Sequence, residues 1–233
     1  MTKNNNTYRA QDEYSRAITK FIFAIVAVWF LAAFIGGVMD IFYQPGLPPV
    51  TVGLFLLVPI AGFTFAYAAS ARMRHVVDRI PLWLITIAHV WRFVGLGFVI
   101  GARIHILPPQ FGYPEGLGDV AAALFSLPLA IALRKNSYSP RLRAAFIAWN
   151  VFGLIDLLSA ITVGILYSPS SFGVLKTDLS TAPMTAFPVN LIPTFFVPLF
   201  ILLHLLALRR RGEIAYTPDD ICTQAACCEN MSA

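Results

Sequence analysis

The stretch of sequence that decides the fold is PLWLITIAHVWRFVGLGFVIGA, residues 81–102. It is mostly apolar, and only His89 and Arg92 interrupt it with ionisable side chains. About 20 apolar helical residues cross the hydrocarbon core of a bilayer, because each residue rises 1.5 Å and the core is about 30 Å thick. The stretch therefore predicts a membrane-spanning helix with a guanidinium and an imidazole inside the membrane.

Five further apolar runs of similar length lie on either side of this one. Lipid offers the backbone no hydrogen-bond partners, so each run is predicted to be a helix. A β-barrel would show alternating segments of about 10 residues, and these runs do not alternate. The sequence predicts an all-α membrane protein, a bundle of six transmembrane helices. The predicted spans are residues 21–42, 47–71, 81–102, 117–133, 142–167 and 186–208.

Composition supports lipid as the solvent of this chain. Of 233 residues, 58% are hydrophobic and 12% are charged, against about 45–50% and about 25% in average soluble domains. A soluble domain of this size could not bury so much apolar surface, and disordered chains lack such residues. The net charge of +5 does not indicate nucleic-acid binding, because the basic residues form short clusters between apolar runs.

The basic residues predict the orientation of the bundle. One side of the membrane would hold 14 Lys and Arg residues, whereas the other would hold only Arg103 and Lys176. Cytoplasmic loops carry the excess of Lys and Arg, and an even number of spans places both termini on one side. Both termini are therefore predicted to be cytoplasmic, and the protein is predicted to be a multi-pass protein of a bacterial inner membrane.

Two tails flank the predicted spans. Residues 1–20 form a cytoplasmic tail in which a short amphipathic helix around residues 8–20 is expected. Residues 209–233 form a second tail, predicted to be disordered because it cannot bury enough apolar surface. This tail contains all three cysteines, whose spacing fits no zinc site, and no metal site is predicted. The cysteines are Cys222, Cys227 and Cys228.

Arg92 and Asp156 are predicted to form an ion pair inside the membrane. By helical rise, Arg92 lies roughly 16 Å from Pro81 and Asp156 roughly 19 Å from Arg143, so both are near the midplane. Asn150 lies on the same helix as Asp156. Ionisable residues in spans usually face the bundle interior with a partner. Such a pair either fixes which helices pack together or belongs to a transport or proton-relay path.

Helical geometry gives two further expectations for the third span. At 100° per residue, Arg92, Leu96 and Arg103 align on one face. Gly97-x-x-x-Gly101 is a small-residue motif that would let another helix approach closely.

Two histidines suggest a possible cofactor. His89 and His204 are on different spans at comparable depth, and such a pair can supply axial ligands to haem b. The alternative is that both histidines make ordinary buried hydrogen bonds. Covalent c-type haem is excluded, because the sequence has no C-x-x-C-H motif.

The connection after the third span predicts a polar cluster on the periplasmic side. It is rich in Gly and Pro but apolar, so it is expected to fold onto the mouth of the bundle. Asp119 is expected to cap the fourth span. The cluster is either a substrate-facing vestibule or only caps and solvated interface residues. Its members are Asp40, Arg103, His105, Glu115 and Asp119.

Three motifs together resemble a family of uncharacterised bacterial multi-pass membrane proteins. They are Arg92-Phe93-x-Gly95, the connection from Leu107-Pro108 to Gly118-Asp119, and Asn150-x-x-Gly153-x-x-Asp156. The resemblance covers spans three to five. It implies a six-span integral membrane protein of bacterial origin and implies no activity.

Three functions stay open, and no catalytic motif favours an enzyme. The preferred reading is a small transporter or a proton- or solute-conducting protein that uses Arg92 and Asp156. The second is a structural or accessory subunit of a larger membrane complex, or a homo-oligomer. The third is a redox protein associated with haem b or a quinone.

Overall fold

The structure, a computed structural model, describes residues 2–135 and 139–214, with side chains described from residue 17 onward. Within these residues every regular element is a helix, and six helices are long and apolar enough to cross a membrane. This confirms the predicted all-α chain with six candidate spans. Spans one to six are Ala17–Val38, Val50–Ala69, Leu82–Arg103, Pro109–Arg134, Pro140–Leu166 and Ile192–Arg209.

Three of the spans contain or extend into other helical segments. Span one is the second part of one continuous helix, Thr2–Val38. Span three consists of two α-helical segments, Leu82–Ile87 and Leu96–Arg103, joined by a 3₁₀ helix at Ala88–Gly95. Span six begins as a π-helix and continues as an α-helix. Its π-helical part is Ile192–Phe196 and its α-helical part is Val197–Arg209. Outside the spans lie a short α-helix, Ala71–Val77, and two short 3₁₀ helices, Ala182–Thr185 and Arg211–Ile214.

Span four begins earlier than the sequence predicts. The helix starts at Pro109 instead of residue 117. A proline is accommodated at the first helical position, since it has no N–H to leave unpaired and already has helical φ. The Gly- and Pro-rich connection is therefore largely helix. Asp119 lies well inside span four and does not cap it. Span five begins at Pro140, two residues before the predicted start, and the Ser139 hydroxyl caps it by accepting from the Leu142 N–H at 3.1 Å.

The bundle is apolar outside and polar at its centre. Large apolar side chains point outward on all sides, including Phe65 at 75% exposed and Trp91 at 72% exposed. In contrast, His89, Arg92 and Asn150 are fully buried. This distribution suits a protein whose outer surface contacts acyl chains, because ionisable residues in spans face the interior.

Spans three and four make the closest helix contact, and glycines permit it. A Cβ at Gly116 would lie 2.6 Å from the Gly95 carbonyl oxygen, and a Cβ at Gly112 would lie 2.6 Å from the Phe98 carbonyl oxygen. The motif that brings two helices together is therefore Gly112-x-x-x-Gly116 in span four. The expected Gly97-x-x-x-Gly101 motif does not do this, since Gly97 has open space around it and Gly101 packs on a leucine side chain.

Span one is held to span six and to the residues just before it by two hydrogen bonds to backbone carbonyls. The Asn190 amide donates to the Ala33 carbonyl at 2.9 Å. The Trp29 indole N–H donates to the Thr194 carbonyl at 3.0 Å. Pro198 has no N–H to donate to the carbonyl four residues before it, so the Thr194 oxygen can accept from span one. The proline in span six thus creates the acceptor that Trp29 uses.

Candidate functional site

The candidate site is built on the 3₁₀ helix at the middle of span three. A 3₁₀ helix has three residues per turn, so residues three apart eclipse one another. His89, Arg92 and Gly95 therefore share one face, and all three are buried. The α-helical face expected for Arg92, Leu96 and Arg103 does not exist, because Leu96 is 48% exposed on the other side. The change of helix type turns the histidine toward the arginine.

The guanidinium of Arg92 contacts spans four, five and six. Its Nε donates to Asp119 of span four at 2.7 Å, and its Nη2 donates to Asp156 of span five. Its Nη1 donates to the Gly153 carbonyl of span five at 3.4 Å. The structure thus brings Arg92 and Asp156 together and adds Asp119, a residue of the predicted periplasmic cluster.

A second arm of the network runs from Arg92 to Asn150 through His204. The Asn150 amide nitrogen donates to the Phe146 carbonyl at 2.8 Å, so its Oδ1 is left to accept. This oxygen lies 2.9 Å from Nδ1 of His204, which must therefore carry the proton. The other ring nitrogen of His204 then accepts from Arg92 Nη1 at 3.3 Å. The network connects spans three, four, five and six.

The two histidines do not fit as axial ligands of a haem. Their ring centroids are only 4.1 Å apart, so the rings contact each other and leave no space for a porphyrin between them. Both ring nitrogens of His204 are engaged, by Asn150 and Arg92. The Nδ1 of His89 donates to the Ile85 carbonyl at 3.1 Å. Its Nε2 is buried and has no hydrogen-bond partner among the described residues.

The five residues of the predicted periplasmic cluster are not brought together. Glu115 and Asp119 are buried inside the bundle, whereas Asp40, Arg103 and His105 are exposed where the spans end. Asp40 and His105 have φ of 54° and 59°, so they turn the chain after spans one and three. The carboxyl of Glu115 accepts from the Ser159 hydroxyl of span five at 2.8 Å. The physical reason for the difference is the early start of span four.

Two glycines make room for side chains of the network. A Cβ at Gly118 would overlap the Asp156 carboxylate, and a Cβ at Gly153 would overlap the His204 ring. Any larger residue at either position would displace a member of the network. The resemblance motif of span five, Asn150-x-x-Gly153-x-x-Asp156, is thus a run in which every named residue contacts the network.

A cavity of about 390 Å³ lies beside the network. It lies between spans two and five and extends to the end of the bundle that holds the connections 39–49, 104–108 and 167–191, here called the Arg103 end. Its walls are apolar, and Asp119 is the ionisable residue that lines it. The cavity therefore reaches the network at one carboxylate.

Sequence reasoning missed Asp119, Ser159 and Gly118 as members of this site. Asp119 was missed because the start of span four was placed too late. Ser159 and Gly118 can be found from the sequence, because each lies within three residues of an acidic residue on the same span. Among the described residues, no group of three or more His, Cys, Asp or Glu side chains is arranged to hold a metal ion.

The chain gives no match to a curated protein and none to a solved structure. One family model, described as a domain of unknown function (DUF8737), matches residues 49–210. The match includes spans two to six and every residue of the network. The chain belongs to the DUF8737 family, an uncharacterised family whose matched region here holds five of the six apolar helices and the buried Arg92 network.

Proposed function

We propose that this protein conducts protons through the membrane interior, alone or together with a solute, by means of Arg92, Asp119 and Asp156. Both termini are cytoplasmic in this proposal, because the basic residues favour that orientation. The observation that carries the proposal is the imbalance of charge at the site. The buried guanidinium of Arg92 is paired with two carboxyl groups, the buried Asp119 and the half-buried Asp156. The buried carboxyl of Glu115 interacts electrostatically with both aspartates and adds a third acidic group.

Charge balance gives these carboxyl groups a reason to bind and release protons. If all three were ionised, Arg92 would neutralise only one negative charge. An unmatched charge in an apolar interior is costly, and a buried carboxyl group avoids this cost by taking up a proton. A proton arriving at one aspartate would weaken its pairing with Arg92 and strengthen the pairing of Arg92 with the other. This exchange is a relay step that needs no large movement.

The surroundings of the network suit such a relay. Asp119 borders the cavity, which extends to the Arg103 end. In this proposal water or a solute reaches its carboxylate from that end. In the other direction, Arg92 is hydrogen-bonded to His204, and His204 to Asn150. Beyond them, the unpaired Nε2 of His89 is a buried acceptor for a proton or a water molecule. Polar atoms therefore extend from the cavity toward the opposite half of the bundle.

Proton flux into vesicles tests the proposal directly. The purified protein is reconstituted into vesicles that contain a pH-sensitive dye, and a potassium diffusion potential drives protons inward. We expect acidification faster than in protein-free vesicles, and a return to the protein-free rate for Asp119→Asn and for Asp156→Asn. Asp40→Asn is the matched control, because this exposed residue has positive φ, which asparagine tolerates. It should acidify like the wild type.

The main alternative is an ion pair that only fixes helix packing. In that case Asp156→Asn would lower the temperature of unfolding, and wild-type vesicles would acidify no faster than protein-free ones. That flux result would show the proposal to be wrong.

A further inference from the structure

The cavity beside Asp119 is a candidate binding site that the proton relay alone does not explain. It has a volume of about 390 Å³, within the range of about 300–1,000 Å³ found for small-molecule sites. Its walls come from spans two to six and from the connection between spans five and six. Aliphatic and aromatic side chains such as Leu56, Phe98 and Ile161 form most of the surface. The space suits a small molecule with an apolar body.

The polar atoms of the wall are already engaged, with one exception. The Thr181 hydroxyl donates to the Gly164 carbonyl at 2.7 Å, and the Thr185 hydroxyl donates to the Ala182 carbonyl at 2.8 Å. The Ser168 hydroxyl bonds to that of Ser170 at 2.6 Å. Asp119 uses Oδ1 to accept from Arg92. Its Oδ2 has no hydrogen-bond partner among the described residues, so this oxygen is available to a ligand.

The charge near this oxygen decides what kind of ligand it would accept. Arg92 already contacts two carboxylates, and Glu115, which interacts electrostatically with both, adds a third acidic group. An anion in the cavity would meet a carboxylate, and within the described residues no other ionisable side chain lines the cavity. A positively charged group would reduce the excess of negative charge and donate to Oδ2. Charge complementarity therefore favours a cation over an anion.

The position of span two gives the ligand a way in. Span two packs against span six, and the cavity lies between spans two and five. A molecule with an apolar body could enter there from the surrounding lipid. Gly53 lines this opening, and a Cβ added to it would meet no atom within 4 Å.

We infer that the cavity binds an organic monocation with an apolar body, of the alkylamine or arylalkylamine class, whose ammonium group donates to the free oxygen of Asp119. This inference rests on the proposed function in that it names the solute that would accompany proton movement. The apolar walls hold the body of the molecule and Asp119 holds its charge.

Three probes that share one apolar body test the inference. 4-Phenylbutylamine, 4-phenylbutanol and 4-phenylbutanoate end in a cation, a neutral group and an anion at pH 7. Binding to the purified protein in a neutral detergent is measured by calorimetry. We expect the amine to bind about tenfold tighter than the alcohol, because hydrogen bonds to charged groups are the stronger ones, and the anion to bind weakest.

Two variants test whether the amine binds in this cavity. Gly53→Leu fills the opening and should weaken amine binding about tenfold or more, by loss of space for the apolar body. Gly62→Leu is its matched control, since Gly62 is on the same helix, has open space around it and does not line the cavity. Asp119→Asn should remove the preference for the amine over the alcohol.

The outcomes separate this inference from the proposed function. Equal binding of amine and alcohol to the wild type would overturn the inference and indicate a cavity for neutral molecules such as acyl chains. Amine binding unchanged by both Gly53→Leu and Asp119→Asn would also overturn it. If vesicles conduct protons but the amine does not bind, only the inference fails. If the amine binds but no flux is seen, the proton relay fails and the cation site stands.

Discussion

Arg92 shows why an arginine, and not a lysine, suits the centre of this bundle. A guanidinium has five N–H donors in a planar fork, whereas a lysine ammonium is a point charge with three donors. The fork lets Arg92 donate to Asp119, Asp156 and His204, which belong to three different spans. His204 can accept from Arg92 only if its proton is on Nδ1. Asn150 is the residue that keeps the proton there.

The role of Asn150 gives a prediction at the residue scale. Asn150→Ala removes the acceptor for His204 Nδ1, so the buried N–H loses its partner and the protein should lose about 1–3 kcal/mol of stability. The tautomer of His204 should also become mixed. Thermal unfolding in detergent measures the first effect, and nitrogen-15 NMR of the labelled imidazole measures the second.

Asn190→Ala is the control for this prediction. Asn190 is equally buried but bonds to the Ala33 carbonyl, so its loss should lower stability without changing the His204 tautomer. A His204 ring protonated on Nε2 in the wild type would contradict the proposed network.

Part of the site could be predicted from single residues. Arg92 and Asp156 were paired because their depths match and their charges are opposite, and helical rise is enough to estimate depth. For Glu115 and Asp119 the sequence predicts a place at the periplasmic end of span four, because the Gly and Pro residues before them indicate a loop. The Pro109 start of span four does not follow from local pattern, since Pro opens helices as readily as it ends them. Tertiary contact with span three determines where span four begins.

At the scale of helices, spans three and four form the rigid centre of the molecule. Gly95, Gly112 and Gly116 bring their backbones together, and this closeness places Asp119 against Arg92. The 3₁₀ segment lies at the same contact. Its sequence, AHVWRFVG, fits an α-helix equally well, so a 100° helical wheel was the reasonable but wrong prediction. The local change of helix type reflects packing and polar pairing with neighbouring spans.

The glycine contact gives a prediction for this pair of helices. Gly116→Ala adds a methyl group that would lie 2.6 Å from the Gly95 carbonyl oxygen, so the two backbones must separate. Overpacking of this kind costs about 1–3 kcal/mol, and the protein should unfold at a lower temperature. The same substitution at Gly97 meets no atom within 4 Å and should be neutral or slightly stabilising through helix propensity. Equal unfolding temperatures for Gly116→Ala and Gly97→Ala would show that this contact is not tight.

At the scale of the whole molecule, the five spans within the family match form the body of the bundle. Span one lies outside residues 49–210 and attaches along span six through Trp29, Ala33 and aromatic contacts with Phe195. The number of spans followed from apolar run length, which depends only on the thickness of a bilayer. Orientation depends on charges outside the spans, and a helix bundle looks the same in either direction.

Orientation therefore needs a chemical test, and the chain supplies its own probes. All three cysteines, Cys222, Cys227 and Cys228, lie outside the described residues and follow the last basic cluster. If 14 of the Lys and Arg residues face the cytoplasm, a membrane-impermeant maleimide should label the protein only after the cells are permeabilised. The control replaces these cysteines by serine and adds Ser171→Cys, an exposed position between spans five and six. That single thiol should react in intact cells, because an odd number of spans separates it from the C-terminus. Labelling of the native cysteines in intact cells would show that the bundle has the opposite orientation. The end of the cavity beside the connections 39–49 and 167–191 would then face the cytoplasm.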